Sequence, residues 1–235
     1  MSTSRDRVLA RIRAALADVP PDSPAAFGVG LNSEPPPPPD GAGASPQPGP
    51  ATPRDALDHG VLELFAARCA DYGATVVRVP AADAPAEAAR LVAGRGVSRA
   101  AVPSALDPAL AAALTRAGVE LVGDSPPLPA AELDRVDGVV TACRVGVAET
   151  GTLVLDHAPD QGRRALTLVP DLHLCLIRAD QIVPDVPQAV ARLRPSVLAG
   201  RPLTWVSGPS ATVDIELTRV EGVHGPRALL VVITE

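Results

Sequence analysis

The feature that most constrains this chain is a regular alternation between Asp55 and Val122. The stretches "DALDHGVLELFAARCADYG", "DAPAEAARLVAGRG" and "DPALAAALTRAG" carry helical spacing, and each is followed by a short apolar run, "ATVVRV", "RAAVP" and "VELV". Strands separated by single helices cannot be hairpin partners. They must run parallel, joined by right-handed crossovers, with both faces of the sheet covered. Gly118 closes the third helix as a C-terminal glycine. The second half is patterned differently. After "DGVVTAC", the segments "GTLVLDH", "ALTLVP" and "HLCLIR" read as short strands too close together for helical crossovers, so hairpins should extend the sheet or build a second one. "PQAVARLRP" reads as one more helix, "LTWVSG" as a strand and "RALLVVI" as a closing strand. The expected fold class is α/β, with a mostly parallel sheet flanked by helices and an added short-strand region.

Composition separates the N-terminal end from this domain. In residues 1–19, Val8, Leu9, Ile12, Ala15 and Leu16 recur at helical spacing, which predicts an amphipathic helix. Residues 20–53, including "EPPPPPDGAGASPQPGPATP", offer too little apolar surface to fold and read as a Pro-rich flexible linker. The folded domain is expected over 54–235.

Of 235 residues, 46% are hydrophobic, enough for one substantial core, and aromatics are only 2%, so aliphatic side chains must build it. No apolar run approaches the roughly 18 to 20 residues of a membrane helix, and no signal-peptide pattern follows the N-terminal arginines, so the expected location is cytoplasmic. A net charge of −6, with no basic stripe, argues against nucleic acid. All 21 basic residues are arginine. A lysine-free chain forms no Schiff base and has no P-loop lysine. The three cysteines, Cys69, Cys143 and Cys175, are dispersed without a C-x-x-C pair, which argues against an iron–sulfur or structural zinc centre. His173 and Cys175 share a strand face, and His157 could join them, but such residues in an apolar strand are more often packed than ligating, so no metal is expected.

Two polar constellations interrupt this apolar chain. In "VSGPSATVDIELTRVEGVHGP", Thr212, Asp214 and Glu216 alternate with Val213, Ile215 and Leu217, placing two carboxylates and a hydroxyl on one side of an extended segment. Gly208, Ser210 and His224 flank that row, and together they suggest a ligand pocket in a shaped loop. In "VAETGTLVLDH", Glu149, Thr150, Gly151 and Thr152 form a tight turn before a strand, where Gly151 could let a ligand approach. If the two meet, Glu149 and Thr150 should approach Asp214 and Glu216, with Arg144, Arg219 and Arg227 as candidate charge partners.

The order "AETGTLVL", "LTLVPDLHLCLI", "VSGPSATVDIE", "EGVHGP" resembles the lactate utilization protein C family (LutC/YkgG), the stand-alone form of the LUD domain, from about Arg54 to the C-terminus. The resemblance implies a fold like that of the NagB/RpiA/CoA-transferase-like proteins. It also implies a part in oxidising L-lactate to pyruvate beside two iron–sulfur partner proteins. This chain itself has no cysteine cluster, no G-x-G-x-x-G and no lysine, so no cofactor is expected on it. It is expected to be a non-redox component with a pocket for a small anionic ligand. The alternative is acyl transfer: "AETGT" is similar to the Ser-Glu-Asn-Gly stretch of CoA transferases, which would make Glu149 a catalytic nucleophile, although Thr150 stands where those enzymes carry Asn.

Overall fold

The computed structural model describes residues 59–213, 219–221 and 225–235. The expected N-terminal helix, the Pro-rich linker and the boundary at Arg54 lie outside the described residues, as do Asp214, Glu216 and His224.

The first half follows the alternation: α1 His59–Asp71, β1 Thr75–Val79, α2 Ala84–Gly94, β2 Arg99–Val102, α3 Pro108–Arg116, β3 Glu120–Gly123, a one-turn α4 Ala130–Leu133 and β4 Gly138–Ala142. Local chemistry sets the boundaries. Asp107 caps α3 by accepting from Leu110 N at 2.9 Å, with Pro108 in the first turn, and Gly118 past its end takes φ +86°. The second half contains β5 Val145–Val147, β6 Thr152–Leu155, β7 Leu172–Arg178, β8 Ile182–Val183, α5 Val186–Leu198, β9 Thr204–Val206, β10 Ala211–Val213, β11 Arg219–Glu221 and β12 Ala228–Thr234.

Six strands form one wholly parallel sheet in the order β1-β12-β7-β4-β2-β3. The C-terminal strand is therefore central, with Leu230 opposite Thr75 of β1 and Leu174 of β7. Strand parity divides the core in two. Leu172, Leu174, Leu230 and Val232 pack under α2 and α3, while Cys175, Ile177, Val231 and Ile233 face Phe65 of α1 and Leu153 of β6. The expected short-strand region is a second sheet, β8-β5-β6-β9, mixed in direction. Its inner side joins the main core and its outer side, Val145, Val147 and Val154, is covered by Ala189 and Leu193 of α5. The layers are thus helices, parallel sheet, small sheet and helix.

One expected strand is absent. "ALTLVP" contains a 3₁₀ turn, Arg164–Thr167, rather than a strand. Leu166 is fully buried and Leu168 is 41% exposed, so two residues of one parity do not share a face. Thr167 also donates its hydroxyl back to Arg164 O at 3.3 Å, a local bond that competes with strand pairing. "HLCLIR" is not part of a hairpin either. It is β7, buried on both faces as a central parallel strand.

Candidate functional site

The ETGT turn, Ala148–Gly151, links β5 to β6. Glu149 is exposed: its amide donates to Pro184 O at 3.0 Å and its carboxylate accepts from Val186 N at 3.2 Å, an anion placed at the start of α5. Thr150, Thr152 and Ser207 form a hydroxyl chain, with Oγ1–Oγ1 2.8 Å and Oγ1–Oγ 2.7 Å. The ETGT and VSG segments therefore do converge across 55 residues of sequence. What they converge on is the end of α1. Gly151, at φ +57°, lies so close to that helix that a Cβ would sit 2.7 Å from Arg68 C and Cys69 N. Gly208, at φ +89°, has its Cβ position 2.6 Å from Tyr72 Cβ. The close approach expected of a ligand at Gly151 is made by helix backbone. Ser210 donates its amide to Pro226 O at 2.7 Å, and a Cβ at Gly225 would lie 4.0 Å from Thr167 O, so the base of the β10–β11 hairpin abuts the 3₁₀ turn. Thr212 lies on β10, paired with Val220. Of the candidate charge partners, Arg227 reaches Asp171 at 3.5 Å and Arg144 reaches Asp156 at 4.0 Å.

A richer site lies at the carboxyl edge of the parallel sheet, where α/β proteins bind ligands. The chain leaves β2 toward α3 on one face and leaves β4 toward the small sheet on the other, which opens a crevice between them. The loop after β6 crosses it. Pro159 O accepts from Ala105 N and Asp160 O from Ala142 N, both at 3.0 Å, pinning the loop over the ends of β2 and β4. On the β2–β3 side this leaves a cleft of about 470 Å³ lined by Ser104, Asp124, Ser125, His157, Arg163 and Arg164.

The loop that forms this cleft is held from several directions. Asp156 is 1% exposed and accepts from Ser196 Oγ at 2.6 Å, Arg201 Nη1 at 3.2 Å and Ala158 N at 3.3 Å. Its own amide donates to the buried Gln161 side chain at 2.7 Å. Next to it His157 takes φ +55°, the one non-glycine residue with positive φ among the described residues. Such a conformation persists only where surrounding bonds over-determine it, and it concentrates at functional sites. His157 Nδ1 donates to Gly162 O at 2.8 Å, so in the neutral ring Nε2 accepts from the Thr204 hydroxyl, also at 2.8 Å.

The two arginines of "QGRRA" differ in state. Arg163 forks onto Asp124 at 2.7 and 3.0 Å. Burial opposes ionisation of Asp124, yet Arg163 and the Leu128 N–H together hold its carboxyl below the usual range. Arg164 turns Nη1 to the Thr167 carbonyl and hydroxyl at 3.3 and 3.2 Å, and no carboxylate among the described residues pairs with it. A guanidinium in this setting has the charge and the N–H donors that an anion's oxygens can accept from. Neither arginine stood out in the sequence, but "DHAPDQGRR", a polar Pro/Gly stretch between apolar runs, was the available signal.

His173 and Cys175 face one side of β7 as their parity required; His173 Nε2 bonds Thr141 Oγ1 at 2.8 Å, while His157 spends both ring nitrogens elsewhere. Among the described residues no three His, Cys, Asp or Glu side chains are arranged for a metal. All three cysteines are buried and free, and burial, with Cys175 adding to it, pushes the Cys69 thiol up to about 12, so it stays protonated.

Residues 62–234 match the LUD domain. Lactate utilization protein C of Deinococcus radiodurans is 49% identical over 173 residues, covering 74% of this chain and 79% of that one. The protein YkgG of Escherichia coli is 40% identical over 102 residues, 42% of this chain and 43% of its own. Among solved structures, a DUF162 family protein from Deinococcus radiodurans superposes with a TM-score of 0.65 at 42% identity, covering 75% of this chain and 98% of that one. The match spans the parallel sheet, the small sheet and the crossing loop alike, and the chain belongs to the LUD domain family.

Proposed function

We propose that this protein serves lactate utilization as a non-redox component that binds a small carboxylate in the His157–Arg164 cleft and works beside iron–sulfur partner proteins in the cytoplasm. The observation that carries the reading is the 49% identity, over 173 residues, to a relative named for lactate utilization. The cleft supplies a place for the ligand. Arg164 offers a guanidinium without a carboxylate partner among the described residues, and Ser104 and Ser125 line the same space. Support for the non-redox assignment comes from the sequence, which has no C-x-x-C pair or cysteine cluster, and from the burial of all three thiols; no described helix is long and apolar enough to cross a membrane. Acceptance of a carboxylate by an arginine fork is a charge-assisted bond of about 1.5–3 kcal/mol. Arg164→Gln should therefore weaken L-lactate or pyruvate binding about tenfold or more, measured by titration calorimetry, and slow growth on L-lactate while leaving growth on glucose intact. Unchanged binding and growth in Arg164→Gln would place the ligand elsewhere. A flavin or iron–sulfur absorbance band in the purified, reconstituted protein would overturn the non-redox role, and failure to copurify with any iron–sulfur protein would count against the partnership.

A further inference from the structure

On the other side of the Pro159–Asp160 crossing, at the carboxyl ends of β1, β12, β7 and β4, lies a second cleft of about 390 Å³. Its floor is apolar, built from Ala84, Leu110, Leu176 and Ile177, and one wall is Arg178 with Gln181. The same two side chains line an adjoining cup of about 200 Å³ completed by Arg144, Asp180 and Arg192. The shared wall is fixed in place. Gln181 donates to Cys143 O at 2.9 Å and to Arg144 O at 3.3 Å, and accepts from Arg178 N at 2.9 Å.

The charge in the cup is unbalanced. Arg178 forks onto Asp180 at 2.9 and 3.3 Å, and Arg192 donates to the Asp180 carbonyl rather than to a carboxylate. Arg144 stands 4.0 Å from Asp156, whose single charge Arg201 already shares at 3.2 Å. Three guanidiniums, Arg144, Arg178 and Arg192, thus line the cup with one carboxylate, Asp180, a surplus of two positive charges there on a chain whose net charge is −6. A carboxylate would answer half of that surplus. A phosphate, a dianion with three acceptor oxygens, answers all of it, and arginine forks match its geometry. The adjoining floor suits an apolar or heteroaromatic group, and Asp107 and Asp160 in the same cleft supply acceptors for hydroxyl or amino donors.

We propose that cup and cleft together form one binding site for an organic phosphate of the nucleotide type, its phosphate among Arg144, Arg178 and Arg192 and its base and sugar over Leu110 and Leu176. The site is separate from the carboxylate cleft and does not depend on that assignment. Calorimetry on the full chain with ADP tests it, with inorganic phosphate and adenosine as half-ligands and coenzyme A as a second phosphate source. ADP should bind at least tenfold tighter than either half-ligand, and weaken as salt rises from 50 to 200 mM. Arg144→Gln and Arg192→Gln should each weaken it about fivefold or more without changing the melting temperature by more than about 2 °C. Arg164→Gln should leave ADP binding intact and L-lactate should not compete, which keeps this outcome distinct from that of the carboxylate cleft. Should the arginine variants fail to fold, competition of inorganic phosphate against ADP on the unaltered protein reads the same contact. Tighter binding of coenzyme A than of ADP supports the site and names its source. No binding of ADP or coenzyme A at millimolar concentration, adenosine binding as tightly as ADP, or full ADP affinity in a folded Arg144→Gln/Arg192→Gln double variant would overturn the proposal.

Discussion

Gly151→Ala is expected to lower the melting temperature by roughly 10 °C. Two costs combine. At φ +57° an alanine sits in the left-handed region, which disfavours a residue with a Cβ by about 1–2 kcal/mol. The new methyl would also meet Arg68 C and Cys69 N at 2.7 Å, and these are main-chain atoms of α1 that no rotamer change can move. Overpacking of this kind costs a further ~1–3 kcal/mol. For a domain of this size each kcal/mol corresponds to about 2–4 °C. Gly200→Ala separates the terms, because Gly200 has φ +69° with nothing within 4 Å of its Cβ position. It should show the conformational cost alone, a loss of about 2–8 °C. Equal losses at both positions in thermal unfolding would show that α1 yields and that its packing on the hairpin is loose.

That pair of glycines also shows where the sequence was legible. Glycine in "ETGT" announced a special backbone, and the structure has one, but the reason for it is a helix 82 residues away in sequence, seen in the Cys69 thiol donating to Gly151 O at 3.4 Å. Local patterns gave the helices and strands of the first half, because the capping Asp107, Pro in the first turn and Gly after the last are near-neighbour chemistry. Strand order was out of reach. Nothing in "RALLVVI" says that it lies between β1 and β7, since parallel pairing sets no local turn and an apolar run buried on both faces has no period to read. The 3₁₀ turn was misread for a related reason. "ALTLVP" alternates, and the tertiary fit of Leu166 against Leu133, Val136 and Val139, together with the Thr167 hydroxyl's bond to Arg164 O, decides against a strand.

The site divides in the same way. The expected approach of Asp214 and Glu216 to Glu149 and Thr150 falls outside the described residues, as does His224, and the contact the structure gives between the two stretches is a different one, Thr152 with Ser207. The cleft around His157 was not anticipated. Its parts come from four separate loops, and the ion pair of Arg163 with Asp124 spans 39 residues. A positive φ at a histidine leaves no trace in composition or spacing.

The loop that carries this cleft depends on one buried carboxylate, and Asp156→Asn should show it as both a stability loss and a change in acid sensitivity. Asp156 is 1% exposed and its carboxylate takes Ser196, Arg201 and Ala158, so the uncharged amide forfeits charge-assisted bonds and turns donors toward donors. The arginines remain about half exposed and keep their own solvation, which places the loss near 2–4 kcal/mol rather than at the upper end for a broken buried pair. Burial alone would raise the carboxyl pKa, but the Ser196 hydroxyl, the Ala158 N–H and the charges of Arg201 and Arg144 outweigh it and hold it below the ordinary value. A carboxyl depressed in the folded state contributes its stabilisation above the unfolded pKa of about 3.9 and loses it as pH falls through the lower folded value. The stability gap between the unaltered protein and Asp156→Asn, measured by urea unfolding, should therefore be full at pH 7 and pH 5 and shrink toward pH 3 and below. A gap that stays constant across that range would mean that shape rather than charge holds the loop. Because Asp156 precedes His157 in the strained turn, the same variant should weaken carboxylate binding in the cleft at pH 7, where the protein is still folded; intact binding beside a large stability loss would show that Thr204 and Gly162 hold the histidine without help from Asp156.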